Sequence, residues 1–225
     1  DEKITTVFFK ANIDTEFAGV PVTGNFGVQY INSDQSSDGF FVGYFFNNNG
    51  QDGGIRPVKA GVDYGEVLPS LNLSFEPADD LFVRIGLGRV LSRPNMQDMR
   101  ITRQINFNPD RIDSLDPYNS AYTGDGGNPL LRPTISRNAD ISVEKYFGRR
   151  GYVSLAAFQK NLETYLKPGG DRFFLDLTGY PSPAWLLPRV PKLQTAFVTT
   201  PGNAKGGTLK GLEFALSIPF EMINP

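Results

Sequence analysis

The chain has 225 residues, 40% of them hydrophobic, with no cysteine and no histidine. That composition excludes a Ser/His/Asp triad, a thiol nucleophile, a zinc finger, a His-ligated haem and any disulfide framework. The 22 basic and 24 acidic residues leave a net charge of −2, so no basic field exists to hold nucleic acid. No stretch approaches about 18 uninterrupted apolar residues, which removes a transmembrane helix but leaves open a membrane barrel, whose strands alternate. The opening Asp1-Glu2-Lys3-Ile4-Thr5 lacks a basic region and an apolar run, so a leader peptide is expected to be cleaved or to lie outside this sequence.

Period-two alternation recurs along the chain and helical spacing is scarce. Val7, Phe9, Ala11, Ile13 and Phe17 share one parity against Lys10, Asn12, Asp14 and Glu16. After a short joint at Ala18 to Gly24 come Phe26, Val28 and Tyr30, then a long segment from Ser33 to Pro57. Leu71, Leu73 and Phe75 oppose Ser70, Asn72, Ser74 and Glu76; a joint at Pro77 to Asp80 leads to Leu81, Val83, Ile85 and Leu87 against Arg84, Gly86 and Gly88. A second long segment, Ser92 to Pro133, precedes Ala139, Ile141, Val143 and Phe147, with Lys145 intruding on their side and Asn138, Asp140, Ser142 and Glu144 opposite. Gly148 to Gly151 then turns into a weaker stripe, Val153, Leu155 and Ala157; a third long segment, Lys167 to Gly207, leads to Leu212, Phe214, Leu216 and Ile218 against Glu213 and Ser217.

Seven strands joined alternately by short turns and long Gly/Pro/Asn/Asp-rich segments are expected of a barrel with short turns at one rim and long loops at the other. Phe17, Phe75, Phe82, Tyr146, Phe147, Tyr152 and Phe220 gather near the short turns, where an aromatic girdle is expected. A Lys or Arg facing lipid at mid-membrane costs about 2–4 kcal/mol. Lys10, Asp14, Glu76, Arg84, Asp140, Glu144 and Glu213 all lie on the parity opposite the apolar stripes. A β-sandwich with those stripes packed inward satisfies the same parity.

Longer motifs narrow the choice. Leu68-Pro69-Ser70-Leu71-Asn72, Leu91-Ser92-Arg93-Pro94, Gly127-Asn128-Pro129-Leu130-Leu131-Arg132-Pro133-Thr134, Glu144-Lys145-Tyr146-Phe147-Gly148 and Lys210-Gly211-Leu212-Glu213 stand in that order. Together they resemble the barrel of TonB-dependent outer-membrane receptors, with Thr134 where that pattern usually has Glu. The resemblance implies an all-β, antiparallel up-and-down transmembrane barrel, this chain supplying about seven of some 22 strands, with plug and terminal strands outside it. It further implies residence in the bacterial outer membrane and no enzymatic activity or cofactor. The partners it implies are membrane lipid, the receptor's own plug, the TonB complex and a scarce solute: ferric siderophore, cobalamin or oligosaccharide.

On this reading the expected lumen- or plug-facing residues are Asn72, Glu76, Arg84, Asp140, Glu144 and Glu213. The third long segment carries Lys167, Arg172, Arg189, Lys192 and Lys205 against Asp171 and Asp176, with Phe173, Phe174, Tyr180, Trp185 and Phe197 among them. A basic, aromatic-bearing loop can stack rings and attract anionic chelates. Arg172, Phe173, Tyr180 and Trp185, with Arg103 and Arg111 from the second long segment, are the ligand-contact candidates. Against this, Trp185 between Pro183 and Pro188 suits a loop packed on itself, and the second segment's five Arg and five Asp suit internal pairing. Asp110, Asp113 and Asp116 are read as solvated loop charge, and Gly86-Leu87-Gly88-Arg89 as part of a lumenal glycine stripe, since no third glycine or following helix makes it a phosphate loop. The alternatives carried forward are a secreted β-sandwich that binds carbohydrate and a two-carboxylate glycosidase for which no pair stands out.

Overall fold

A computed structural model describes residues 1–41, 56–148, 150–167, 169–178 and 190–219. Twelve strands run through them: β1 (Glu2–Phe17), β2 (Val20–Phe41), β3 (Arg56–Ala78), β4 (Leu81–Ser92), β5 (Arg103–Phe107), β6 (Tyr122–Gly126), β7 (Thr134–Phe147), β8 (Gly151–Leu166), β9 (Asp171–Asp176), β10 (Thr195–Thr200), β11 (Asn203–Lys205) and β12 (Thr208–Ser217). Among the described residues the only helical pieces are two 3₁₀ turns, Pro109–Arg111 and Pro117–Asn119.

The seven expected strands are β1, β2, β3, β4, β7, β8 and β12, each antiparallel to the next in chain order, with short β11 sharing the edge of β8 with β12. The tight joints shrink to their turn residues. Ala18 and Gly19, both at positive φ, make a two-residue hairpin between Phe17 and Val20 whose twist suits the flanking strands.

Register places the apolar stripes on one surface. Ile13 pairs with Gly24, Gly24 with Leu73, Leu73 with Ile85, Ile85 with Ile141, Ile141 with Ala157 and Ala157 with Leu212. Cross-strand partners point to the same side of a sheet, so this row and every second residue from it along each strand form one continuous oily face. It is open: Val7, Phe214 and Leu212 are 63%, 68% and 79% exposed. A sandwich would press this face against a second sheet, and no such partner covers it among the described residues.

The oily band also crosses the pairing rows obliquely. On β1 it reaches up to Val7, in the row of Tyr30 and Val67, whereas on β8 and β12 it stops at Ala157 and Leu212, the row above being Gln159 and Lys210. Such a slant is what strands tilted about 35–45° to a membrane normal produce.

Two features depart from the sequence reading. The segment from Ser33 to Pro57 is strand at both ends, because β2 runs to Phe41 and pairs with β3 from Arg56. Above the oily band polar residues stand on both faces, Ser33 and Gln35 buried among them, so period two fades from Ile31-Asn32-Ser33-Asp34-Gln35 although the backbone ladder continues. Likewise, the segments 92–133 and 167–207 contain a second sheet, ordered β5-β6-β10-β9, with β6 and β10 parallel. Its strands of five or six residues are too short to stand out among glycines and prolines.

This loop sheet has its own core of Ile105, Tyr122, Ala196 and Val198, with Ala121 and Leu177. The Gly127–Pro133 motif joins the two sheets as a strap that turns at Pro129-Leu130, where Leu131 N donates to Asn128 O at 3.2 Å, with Leu131 and Pro133 fully buried. Gln35 Nε2 donates to Leu131 O at 2.7 Å and Thr164 Oγ1 to Pro133 O at 2.7 Å, while Asn203 both accepts from Arg132 N and donates to Arg132 O at 2.8 Å.

Candidate functional site

The polar parity builds the opposite face. One row reads Asn12, Asn25, Asn72, Gly86, Asp140, Phe158 and Gly211; the next reads Asp14, Thr23, Ser74, Arg84, Ser142, Ala156 and Glu213. A hollow of about 660 Å³ lies over these rows, lined by Asn72, Arg84, Asp140, Lys160 and Glu213 among others. Asn72, Arg84, Asp140, Glu144 and Glu213, named from sequence, therefore share one face. Glu76 stands apart, where the β3–β4 register shifts between Phe75 and Ala78 and no ladder fixes its direction.

Arg84 and Glu144 organise the lower end of this face. Arg84 Nε lies 3.2 Å from Glu144 Oε2, with its guanidinium over the Phe82 ring at 5.2 Å. Ser142 Oγ and Tyr146 Oη donate to the same carboxylate at 2.9 and 2.8 Å. Tyr146 also contacts Phe82 edge-on at 5.8 Å and Tyr152 at 6.0 Å. The expected girdle thus divides: Phe17, Phe75 and Phe147 take the oily parity, whereas Phe82, Tyr146 and Tyr152 pair on the polar side. Phe220 lies outside the described residues. Lys145, the charge that intrudes on the oily parity near the short turn, turns its Nζ to Asp79 O at the sheet's rim.

A second polar cluster sits where β3 and β4 part company above the Ser70–Gly88 pair. Arg89 donates to Val67 O at 2.9 Å, contacts Glu66 at 2.8 Å and grips Glu163 through Nη2 and Nε at 2.9 and 3.2 Å; Arg137 is the other cation on Glu163. Sequence reading passed over this cluster, although Arg89, Arg137 and Glu163 carried a signal: all three are charges standing on the oily parity of their strands.

The third arrangement is the outer face of the loop sheet. Arg103 and Phe173 meet, guanidinium over ring at 5.2 Å, on its core-bearing side. Arg172 lies exposed on the other side, and Arg111 sits in the first 3₁₀ turn without joining either. Tyr180 and Trp185 lie outside the described residues. What the sheet displays instead is Phe174 and Phe197, 5.6 Å apart, each in contact with Tyr118, at 5.2 and 5.3 Å.

The basic surplus expected of this region is partly consumed: Lys167 pairs with Asp171 at 3.2 Å and Lys192 with Asp113 at 3.5 Å. Asp116 caps the second 3₁₀ turn through Tyr118 N, and hydrogen bonds from Thr178 hold the Asp176 carboxyl below the usual carboxylate range. Among the described residues no three acidic groups converge to hold a metal ion, Asp110, Asp113 and Asp116 included.

Residues 1–224 match the family described as TonB dependent receptor-like, beta-barrel. Among solved structures, the siderophore receptor PirA from Acinetobacter baumannii superposes with a TM-score of 0.53 at 16% identity, covering 97% of this chain and 35% of that one. The ferric enterobactin receptor PfeA of Pseudomonas aeruginosa gives 0.50 at 14% identity, over 97% and 34%. These likenesses carry the fold, and the chain spans about a third of each receptor's length. No curated protein matches it. The chain belongs to the TonB-dependent receptor β-barrel family.

Proposed function

We propose that this chain is a section of barrel wall, with its outer loops, in an outer-membrane receptor that takes up a scarce solute using energy passed from the TonB complex. The observation that carries this reading is the two-faced wall, oily and open on one side, polar and hollowed on the other, within a chain of this family. The oily face anchors the wall in lipid. Asn72, Arg84, Asp140, Glu144 and Glu213 face the lumen and hold the receptor's plug through charged and amide contacts. At Gly86, where a Cβ would meet nothing nearer than 3.7 Å, the plug can approach the backbone closely. The loop sheet at the long-segment end stands at the outer mouth and meets the solute first, so that capture outside is followed by release inward when the plug is moved. The chemistry is binding and passage.

The test is uptake by a strain lacking the full-length receptor, with and without its restoration, in tonB-positive and tonB-negative backgrounds. The probes are a radiolabelled ferric tris-catecholate, cyanocobalamin and maltohexaose. Restoration is expected to bring back accumulation of at least one probe only where TonB is present. Accumulation of none, or uptake indifferent to TonB, overturns the reading.

A further inference from the structure

The display face of the loop sheet narrows the solute. Asn106, Thr123, Phe197 and Phe174 form one row across β5, β6, β10 and β9, and Gln104, Asp125, Thr199 and Arg172 form the next. Tyr118 closes over the two phenylalanines. Tyr118 is 66% exposed and Phe174 45%, so an aromatic cluster held by mutual edge contacts stands in water rather than in the core beneath it. Beside it are amides and hydroxyls, with Gln104 Nε2 bonded to Asn106 Oδ1 at 3.0 Å.

Charge decides between the ligands such a face can take. The acids around it are Asp116, Asp125 and Asp176; the described cations are Arg172 and Arg100, and Arg100 is spent on Asp125 at 3.3 Å. An anionic chelate needs a cationic surplus, which is lacking among the described residues of this face. Flat apolar rings bordered by neutral donors and acceptors suit a ring with C–H groups on one side and hydroxyls at its edge.

We infer that the Tyr118–Phe174–Phe197 cluster, with the Asn106–Thr123 and Gln104–Thr199 rows beside it, is a binding face for a neutral oligosaccharide. Tyr118 and Phe174 stack on sugar rings while the amides and hydroxyls read their edges. The inference rests on the receptor reading and selects one of its solute classes.

Isothermal titration of the purified full-length receptor in detergent tests it, using maltohexaose, cellohexaose and chitohexaose, with a ferric tris-catecholate as the anionic comparison. At least one of the three glycans is expected to bind, about tenfold more weakly to Tyr118→Ala and to Phe174→Ala, and with little change to Phe174→Tyr, which keeps the ring. Tyr118 is mostly in water, so its replacement leaves folding intact, checked by unchanged heat-modifiable migration on gels. If all three glycans fail to bind, or bind equally well to the Tyr118→Ala receptor, the inference falls. TonB-dependent uptake of the ferric chelate would then leave the receptor reading standing without it.

Discussion

Glu163 carries two arginines at once. Arg89 donates two hydrogen bonds to it and Arg137 a further one, while Glu66 takes the remaining side of Arg89. Replacing Glu163 with Gln leaves two guanidinium groups facing an amide that cannot neutralise either. Hydrogen bonds to charged groups are worth about 1.5–3 kcal/mol, and partial exposure discounts them. Glu163→Gln is therefore expected to cost about 1–2 kcal/mol in urea unfolding of the full-length receptor, and an unchanged unfolding midpoint would contradict it. At the loop surface, the Asp176 carboxyl accepts from Thr178 N and Oγ1 at 2.8 and 2.6 Å. Its lowered pKa means the bonds to the charged form stabilise the loop fully above the ordinary carboxylate value and fade as pH falls through the lowered one. An NMR titration should show Asp176 ionising at higher pH in Thr178→Val than in the parent; an unchanged midpoint would contradict the assignment.

Strand parity decides what a substitution costs. Leu155 lies on the oily face between Val143 and Phe214, and its neighbour Ser154 lies on the polar face opposite Glu144. Leu155→Arg should lower stability by about 2–4 kcal/mol in lipid vesicles, whereas Ser154→Arg, beside a carboxylate, should cost less than about 1 kcal/mol. Equal penalties would mean that the two faces do not see lipid and lumen. Parity also explains what the sequence made legible. Seven stripes of apolar residues were readable because each wall strand has one oily and one wet side for ten residues or so. Phe173 and Phe174, adjacent in six-residue β9, point to opposite sides, and the choice of the buried one belongs to its partner β10, where Val198 sits opposite Phe173. Nothing in Arg172-Phe173-Phe174-Leu175 announces that. Within the loop sheet, a Cβ on Gly124 would come within 2.7 Å of Ile105 Cδ1 and 3.1 Å of both Gln104 O and Val198 Cγ2. Gly124→Val should therefore loosen this sheet and speed proteolytic nicking between residues 92 and 133, while the separately packed wall keeps its heat-modifiable mobility.

At the scale of the whole molecule, the two sheets divide the work. The wall's apolar residues are spent outward, so its rigidity comes from backbone ladders and from polar contacts such as Arg84–Glu144 and Asn72–Asn25, the latter at 3.2 Å. Apolar packing is concentrated instead in the loop sheet, around Ala196 and Val198. This inverts a soluble domain and is what a lipid solvent demands, because hydrocarbon offers no reward for hiding leucine. Motif order pointed to the family from a handful of prolines and glycines. The loop sheet stayed hidden because it depends on where strands cease to pair, which no periodicity records, and the Arg89 cluster showed only as charges on the oily parity.

The central claim, that the odd-numbered residues of β8 from Val153 to Ala157 meet lipid and the even-numbered ones between them the lumen, has a direct test in a chain that carries no cysteine of its own. Single cysteines introduced from Tyr152 to Asn161, in a full-length receptor otherwise free of cysteine, are spin-labelled and reconstituted in vesicles. Collisional accessibility to oxygen and to a water-soluble nickel chelate is then read by EPR. Oxygen accessibility should peak at positions 153, 155 and 157, with the nickel chelate favouring the residues between them. Labels at 153, 155 and 157 shielded from both reagents, as in a dry protein interior, would contradict the account.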